Sequence, residues 1–434
     1  MSPESTACAT TTLILGGAAP RSAGHGHDIA LRALHQLRAR GTRIVLTDRA
    51  ENLAAAPELT VLAAEVHPLD VADTASCVAW ARARGTRFDA VVGLDEYAAE
   101  SVAAVADALG LSGNPLTAVR RVRTKDRCRD YLRRHGFRQP RLQLCTRPEQ
   151  AEELLRAEGR VVVKPRDRAH GEGVSQVTHR AQLPAAFRAA RAAESTPVLV
   201  EAWVEGTEYS VEGLIVACRP EILAVTRKHL APGTFIETGH TMPAQLEPDT
   251  DSAVRAEVRA ALQVLGLRTG PFHVECWTGP RGVVLGAVHL RQGGDWIPAM
   301  LEWCRPGFAW YGSWLDDLLG TIPQIPPTTR AAAVRFALSP PGTVRDVHGW
   351  QHLDALPGVL AAECPLAPGD RLGAPRANRD RRGAVVVGAA DAPAADRAAD
   401  DFLARLSIEM TPPALKGAGY SPGRWGFAAD RPGP

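Results

Sequence analysis

The first part of the chain alternates short apolar runs with longer stretches that have apolar residues at helical spacing. The first run is Thr11–Leu15, and apolar residues then recur at helical spacing over residues 28–40. Further apolar runs follow at residues 42–48, 60–62 and 88–94. Short apolar runs predict buried strands, and periodic stretches predict helices. This alternation predicts an open parallel sheet of the α/β class.

The second part of the chain predicts a mixture of strands and helices of the α+β class. A helix is predicted over residues 117–136, and antiparallel strand pairs are predicted over residues 208–227 and 270–289. Residues 228–246, between these pairs, predict a long loop. A proline-rich segment at residues 322–327 predicts a linker, with short strands and a helix after it.

Composition narrows the class of protein. A length of 434 residues allows two or three domains, and a net charge of +2 is too small to indicate nucleic acid or a membrane surface as a partner. The chain has no apolar run near the ~20 residues that span a bilayer, and its start lacks the pattern of a signal peptide. The eight cysteines contain no Cys-x-x-Cys pair, as expected for reduced thiols. A cytoplasmic enzyme is therefore expected.

Charged and glycine residues beside one apolar strand indicate a phosphate site. Lys164 ends the apolar run at residues 161–164, where a charge requires an anionic partner. A glycine loop with His170, Gly171 and Gly173 follows and can close over phosphates. Polyphosphates need such cations and backbone donors, because their charge must be neutralised in a partly dry cleft.

A second set of residues suits the base and the ribose of a nucleotide. The segment Glu201-Ala202-Trp203-Val204 follows an apolar strand. Backbone groups there can bond an adenine edge while an apolar side chain contacts the base. Glu208, beyond the turn at Gly206, is placed either to accept hydrogen bonds from ribose hydroxyls or to face solvent.

Residues near the following strands suit a reacting phosphoryl group. Glu275 lies inward on an apolar strand and needs a cation, for which Mg²⁺ between phosphates is the natural choice. His273 lies two residues earlier on the same face, either as a site residue or as a core histidine. Arg291, followed by Gly293-Gly294, offers a planar donor beside a tight turn with free amides, which suits an acyl phosphate.

In this order the motifs resemble the ATP-grasp superfamily, and more narrowly its carboxylate–amine ligases of the L-amino-acid ligase kind. The most specific segment is Lys228-His229-Leu230-Ala231-Pro232-Gly233-Thr234-Phe235-Ile236-Glu237-Thr238-Gly239-His240-Thr241-Met242-Pro243, and Gly270-Pro271-Phe272-His273-Val274-Glu275 agrees with it. The resemblance extends from the first strand to about Ile408. It implies an ATP-grasp fold with an N-terminal open parallel-sheet (pre-ATP-grasp) domain at residues 1–118, an ATP-grasp domain at 119–322, a C-terminal α+β subdomain at 323–411 and a flexible tail at 412–434.

The resemblance also implies roles for the site residues. For the nucleotide, it implies that Lys125 and Lys164 bind the phosphates and that Glu208 binds the ribose. The adenine would be bound by Glu201, Ala202, Trp203 and Val204. The roles implied for the chemistry are Mg²⁺ binding by Glu275, acyl phosphate binding by Arg291 and Gly294, and an amino-acid pocket lined by Glu237, His240 and Trp296.

In the family reaction, a carboxylate attacks the γ-phosphate of ATP, and an amine then captures the acyl phosphate. The products are an amide, ADP and phosphate. The implied cofactors are ATP and Mg²⁺, and the implied partners are small amino-acid-like carboxylates and amines. A homodimer through the N-terminal or C-terminal domain is a further expectation.

The chain departs from the family pattern at two metal ligands. The family's second strand usually ends Glu-x-Asn-x-Arg, and here the frame reads Ala287-Val288-His289-Leu290-Arg291. Alanine cannot bind a metal, and imidazole is a poor ligand for Mg²⁺, although it suits a softer ion such as Mn²⁺. Three hypotheses follow: a ligase that uses one Mg²⁺ or a carboxylate from elsewhere, an enzyme with a changed use of ATP or of an activated acyl donor, and a binding or partner subunit that has lost ATP turnover.

Some positions have a structural alternative. Trp296 either shapes the acceptor pocket or packs in the core, and His240 either contacts the substrate or caps a turn. Asp95 and Glu96 end a predicted strand, and they either face a substrate amine or cap a helix.

Overall fold

The computed structural model describes residues 10–166, 172–191, 193, 196–351 and 353–412 of the chain. The predicted loop residues His170 and Gly171 lie outside this part, as does the expected tail after Pro412.

The N-terminal region is an open parallel sheet with helices. Its elements are β1 (Thr11–Leu15), α1 (His25–Ala39), β2 (Arg43–Asp48), α2 (Ala50–Ala55), α3 (Pro57–Thr60), β3 (Glu65–Pro68), α4 (Thr74–Ala83), β4 (Ala90–Gly93) and α5 (Ala99–Leu109). The strands lie in the order β3-β2-β1-β4, and each neighbouring pair is parallel, as predicted. The carboxyl ends of β1 and β4 therefore meet at one edge, beside Gly16 and Asp95.

The strand predicted at residues 60–62 is wrong. Helix α3 ends at Thr60, and the strand begins only at Glu65. Pro57 occupies a first-turn helical position, where its fixed φ favours a helix start. Val61 is 75% exposed, so the apolar run does not mark a buried strand.

Two helices and a small antiparallel sheet follow. The elements are α6 (Leu116–Arg123), α7 (Lys125–Arg134), β5 (Leu142–Cys145), α8 (Glu152–Glu158), β6 (Val161–Pro165), β7 (Ser175–Val177), α9 (Leu183–Ala190) and β8 (Val198–Ala202). The helix predicted over residues 117–136 is thus broken at Thr124, whose extended backbone starts α7. The strand order is β5-β8-β6-β7. Helices α8 and α9 pack on this sheet through one apolar core.

The largest sheet has eight strands and carries six predicted site residues: Glu208, Glu237, His240, His273, Glu275 and His289. The elements are β9 (Thr207–Val216), β10 (Arg219–Leu230), β11 (Glu237–Met242), α10 (Pro248–Leu265), β12 (Gly270–Gly279), β13 (Gly282–His289), α11 (Ile297–Cys304), α12 (Trp310–Leu318), β14 (Ala331–Ala337), β15 (Gly342–His348), β16 (Val359–Glu363), β17 (Arg371–Leu372), β18 (Gly383–Ala389), α13 (Ala392–Ala404) and β19 (Ser407–Thr411). The strand order is β13-β12-β9-β10-β11-β14-β18-β16, and β17, β15 and β19 form a separate small sheet.

The long loop predicted over residues 228–246 is wrong in part. Strand β10 continues to Leu230, and residues 237–242 form β11 in the middle of the eight-stranded sheet. Strand β11 pairs with β14, so the sheet continues across the domain boundary expected at residue 322.

A core shared by α1, α11, α12 and β14 joins the three regions. Within the described residues, no helix is long and apolar enough to cross a membrane.

Candidate functional site

Lys164 belongs to a buried ion-pair group that joins β6, β8 and α7. Its Nζ lies 2.7 Å from Oε2 of Glu201, and Nε of Arg129 lies 2.6 Å from Oε1 of the same carboxylate. Burial alone would raise the pKa of Glu201, but Arg129 and Lys164 lower it. Two cations share one carboxylate, so the group has a net positive charge that suits an anion.

The predicted adenine segment is anchored through its backbone and through Trp203. The Ala202 amide donates to Arg141 O at 2.8 Å, and the Trp203 amide donates to Arg160 O at 3.1 Å. The ring of Trp203 lies 6.1 Å from that of Phe235, and the Arg160 guanidinium lies over the Trp203 ring, 5.0 Å from its centre. Val204 is half-buried beside it. The Glu201 carboxylate is held by cations and the Ala202 and Trp203 amides are engaged, so the apolar side chains of this segment are the groups that suit a base.

The glycine loop is described only at its end. Gly173 has a φ of +71°, and a Cβ there would lie 2.5 Å from Ala189 O on α9. A side chain at this position would therefore push the loop away from α9.

A cleft with basic walls lies between α7 and β13. Its walls include Arg123, Lys125 and Arg129, together with Glu96, Ala287 and His289. Ala287, which replaces the expected metal carboxylate, thus lies in a wall of the basic cleft. Glu96 brings a carboxylate to the same cleft from the N-terminal region.

Lys228 lies at the centre of three carboxylates to which the sequence assigns separate roles. Its Nζ lies 2.7 Å from Glu208, 2.8 Å from Glu237 and 2.9 Å from Glu275. Burial alone would lower the pKa of Lys228, but the three carboxylates raise it well above its usual value. The ammonium is therefore charged and is shared by the three carboxyl groups. The predicted ribose, metal and amino-acid residues converge on this one cation.

Two histidines on the neighbouring strands β12 and β13 each pair with a carboxylate from another part of the chain. Nδ1 of His273 lies 2.9 Å from Glu212, and Nδ1 of His289 lies 3.1 Å from Glu96. The two rings are 5.7 Å apart. Burial lowers the pKa of His289, although the hydrogen bond with Glu96 opposes this shift. A hydrogen bond to a carboxylate fixes the orientation of each ring.

Arg291 and Glu96 meet next to this pair. The Nε of Arg291 lies 3.4 Å from Glu96, and its Nη1 donates to Gln292 O at 2.7 Å. Burial alone would raise the pKa of Glu96, but His289 and Arg291 lower it strongly. Asp95 accepts the Ala98 amide at 3.0 Å, so Asp95 caps the turn and Glu96 reaches the site.

Asp295 joins three regions of the chain at the predicted amino-acid pocket. It accepts two hydrogen bonds of 2.6 Å from Arg381 and lies 3.0 Å from Nε2 of His240. Nδ1 of His25 lies 4.0 Å from it, and a Cβ on Gly294 would lie 3.4 Å from the same imidazole. His240 also lies 3.5 Å from Glu237. The predicted residues Glu237, His240 and Gly294 are thus neighbours.

Glu237, His240 and Asp295 lie close enough together for a metal site. Their charges are already balanced, however, by Lys228 on Glu237 and by Arg381 on Asp295. His240 lies between the two carboxylates, which favours its protonated form. A metal ion there would have to displace the imidazole proton. The contacts on these three residues are those of an ion-pair network.

Trp296 packs in the core. Its side chain is 8% exposed and contacts the core shared by α1, α11 and α12. Of its two alternatives, the structure favours packing over the predicted pocket wall.

The charge of His240 leads to a prediction for stability against pH. Burial alone would lower the pKa of His240, but hydrogen bonds with Asp295 and Glu237 raise it to about 9. Because the folded pKa is above the unfolded one, the stabilisation is complete below about pH 6.5 and is lost as the pH rises through 9. We expect the stability advantage of the wild type over His240→Asn to shrink by up to about 3 kcal/mol across this window. Urea unfolding of both proteins at each end of the window measures it, and an advantage independent of pH would contradict the charged state.

Sequence reasoning missed the partners of these residues. Arg129 and Arg381 received no role, and Lys228 was part of a motif without a role of its own. The buried face of α7, with Cys128 and Leu132 beside Arg129, was an available signal.

Two family models match the chain. The ATP-grasp domain matches residues 158–298, and the L-amino acid ligase C-terminal domain 2 matches residues 335–411. Among curated proteins, the chain is 36% identical over 110 residues to a D-alanine–D-alanine ligase of Halorhodospira halophila, covering 24% of this chain and 36% of that protein. It is 30% identical over 253 residues to carnosine synthase 1 of Gallus gallus, covering 50% of this chain and 26% of that protein. These matches thus span well under half of each relative.

Solved structures show the same fold over most of the chain. An L-amino acid ligase from Bacillus licheniformis superposes with a TM-score of 0.75 at 20% identity, covering 93% of this chain and 99% of that one. A phosphoribosylglycinamide synthetase from Anaerococcus prevotii superposes with a TM-score of 0.69 at 16% identity, covering 93% of this chain and 100% of that one. The chain therefore contains an ATP-grasp domain at residues 158–298, followed at residues 335–411 by a C-terminal domain of the L-amino acid ligase type.

Proposed function

We propose that the chain is an ATP-dependent carboxylate–amine ligase. It joins two small amino-acid-like substrates through an acyl phosphate and releases ADP and phosphate. The observation that carries this proposal is the basic cleft between α7 and β13, where Arg123, Lys125 and Arg129 face Glu96 and His289. Lys125, together with Arg123 and Arg129, which also pair with Glu100 and Glu201, brings positive charge that suits a polyphosphate. The acid and base in the same walls suit a reacting carboxylate and amine.

The nucleotide would lie between the small sheet and the eight-stranded sheet. The net positive group of Lys164 and Arg129 supports phosphate binding, together with Lys125. The anchored segment from Glu201 to Val204 supports adenine binding. Glu208 is a candidate for the ribose, and burial raises its pKa. A carboxyl group that gains a proton there would donate as well as accept.

The residues fit one magnesium ion better than the usual pair. Ala287 offers no donor, and Nδ1 of His289 lies against Glu96. Glu275 contacts Lys228 through Oε1, so Oε2 of this carboxylate remains as a hard donor. An ion at Glu275 would neutralise phosphate charge beside Lys125 and Lys164. A second ion would need a carboxylate such as Glu96.

The first chemical step forms the acyl phosphate. A carboxylate oxygen of the acyl substrate attacks the γ-phosphorus, and ADP leaves with the bond electrons. Arg291 supports this step as a cation for the new acyl phosphate, and the amide of Gly294 supports it as a neutral donor. Lys164 and Arg129 hold the charge that remains on ADP.

The second step forms the amide. The amine attacks the acyl carbon, phosphate leaves, and the ammonium proton passes to solvent or to a neighbouring carboxylate. The amino-acid substrate would lie next to Glu237, His240 and Asp295, whose charges are already paired with one another and with Lys228 and Arg381. The acids of the site support binding of its ammonium group.

The loss of two metal ligands favours a second candidate function. Ala287 and His289 are consistent with a nucleotide-binding partner subunit without turnover, or with an enzyme that uses an activated acyl donor. Ala287→Glu separates the possibilities. In a working ligase we expect it to raise ADP release by about tenfold, because it restores a metal contact. A binding subunit gives no release from either protein.

The direct experiment measures ADP and phosphate in the presence of amino acids, in pairs and singly, with mass spectrometry of the amide product. A ligase releases ADP and phosphate in equal amounts with the amide, and only when both substrates are present. Nucleotide binding without turnover in both the wild type and Ala287→Glu would reject the proposal.

A further inference from the structure

The turn after β13 has an unusual backbone. Asp295 has a φ of +52° and Trp296 a φ of +65°. The Ile297 amide donates to Gly294 O at 2.9 Å, so residues 294–297 form a type I′ turn. Central positions of this turn favour Gly, Asn and Asp, and a positive φ at a bulky residue is a genuine outlier. Surrounding contacts must hold Trp296 in this conformation.

Two anchors hold the turn. The Trp296 side chain packs in the core, as described above. The Asp295 side chain is held by Arg381, which follows a short 3-10 helix of the C-terminal region, Asn378–Asp380. The guanidinium of Arg381 lies 3.7 Å from the ring of Phe336, so it is fixed from a second side. A bidentate pair fixes both distance and orientation.

The same short segment contacts the other parts of the site. The Glu237 amide donates to the Asn378 side chain at 2.9 Å, at the start of β11. Arg379 lies 2.8 Å from Glu172, beside the glycine loop. Residues 378–381 therefore contact the amino-acid pocket, the glycine loop and the turn that carries Gly294.

We propose that Arg381 is a positioning residue that acts through Asp295. It holds the type I′ turn in the conformation that places the Gly294 backbone and Arg291 at the reacting acyl group. This inference rests on the proposed function for its catalytic consequence. The restraint of the turn by the C-terminal region does not depend on the proposed function.

The test compares Arg381→Lys and Arg381→Met with the wild type. Lysine keeps the charge and loses the second hydrogen bond, so it carries the test if the methionine variant does not fold. We expect hydrogen–deuterium exchange to rise in peptides that contain residues 293–297 in both variants. We expect the affinity for ADP to stay unchanged, because Arg381 contacts none of Lys125, Lys164 and Arg129. With an active ligase, kcat/KM for the amine falls by about 100-fold, since small displacements of a positioned group have effects of that size.

Arg379→Met is the matched control. It removes a cation two residues away whose side chain is 64% exposed, and it leaves the Asp295 pair intact. Its exchange at residues 293–297 should equal that of the wild type. Unchanged exchange at the turn in Arg381→Lys would overturn the inference, as would an equal rise in Arg379→Met. A wild type without turnover would reject the proposed function and leave the exchange result to decide on the turn.

Discussion

Replacing Lys228 by methionine is expected to lower the free energy of unfolding by about 3–5 kcal/mol, the usual loss when a buried charge pair loses one partner. The side chain of Lys228 is 4% exposed, and its ammonium contacts Glu208, Glu237 and Glu275. Methionine fills a similar volume but leaves three carboxylates without their shared cation. Urea unfolding near neutral pH measures the loss.

The control for this change is Arg345→Met. Arg345 pairs with Glu409 on the surface, and its side chain is 73% exposed. Exposed pairs contribute about 1 kcal/mol or less. Equal losses in the two variants would show that the three carboxylates do not depend on Lys228.

The Lys228→Met deficit should also depend on pH. The pKa values of Glu237 and Glu275 are lowered in the wild type, where burial is outweighed by Lys228. Their stabilisation is therefore present above the unfolded pKa of about 4.5 and is lost as the pH falls. Without Lys228 the carboxyl groups gain protons more readily. The loss of unfolding free energy in Lys228→Met therefore becomes smaller at acid pH.

Replacing Glu275 by glutamine is expected to lower ATP-dependent turnover by about 100-fold or more, as for the loss of one well-placed electrostatic group. Glutamine keeps the shape of the side chain and removes the charge that would hold the metal ion. The fold should be retained, because Lys228 keeps Glu208 and Glu237 as partners. Rates of ADP release and urea unfolding measure the two effects separately.

Glu221→Gln provides the control for this change, since Glu221 is an exposed residue of β10 in the same sheet. It should leave turnover and stability close to wild type. A loss of less than a few-fold in Glu275→Gln would contradict a metal role for Glu275.

The sequence was informative where local pattern decides structure. Continuous apolar runs predicted β1, β2 and β4, because strands buried on both faces need such runs. Strand β11 was missed because it carries Glu237, Thr238 and His240, whose polarity serves the site and hides the strand pattern. The break at Thr124 was missed because residues 117–135 contain no proline or glycine that would mark it.

For the site, a charged residue on an apolar strand was the useful signal, and it pointed to Lys164 and Glu275. The partners were out of reach, because they are distant in sequence. Arg129 lies 72 residues from Glu201, and Arg381 lies 86 residues from Asp295. Such pairs follow from the fold and not from local spacing.

The central claim is that a carboxylate of the substrate becomes an acyl phosphate. The most direct measurement uses an accepted acid whose carboxylate carries a heavy isotope of oxygen, followed by mass spectrometry of the released phosphate. A ligase of this type transfers one labelled oxygen from each acid to phosphate, in step with amide formation. Amide formed with unlabelled phosphate would contradict the claim.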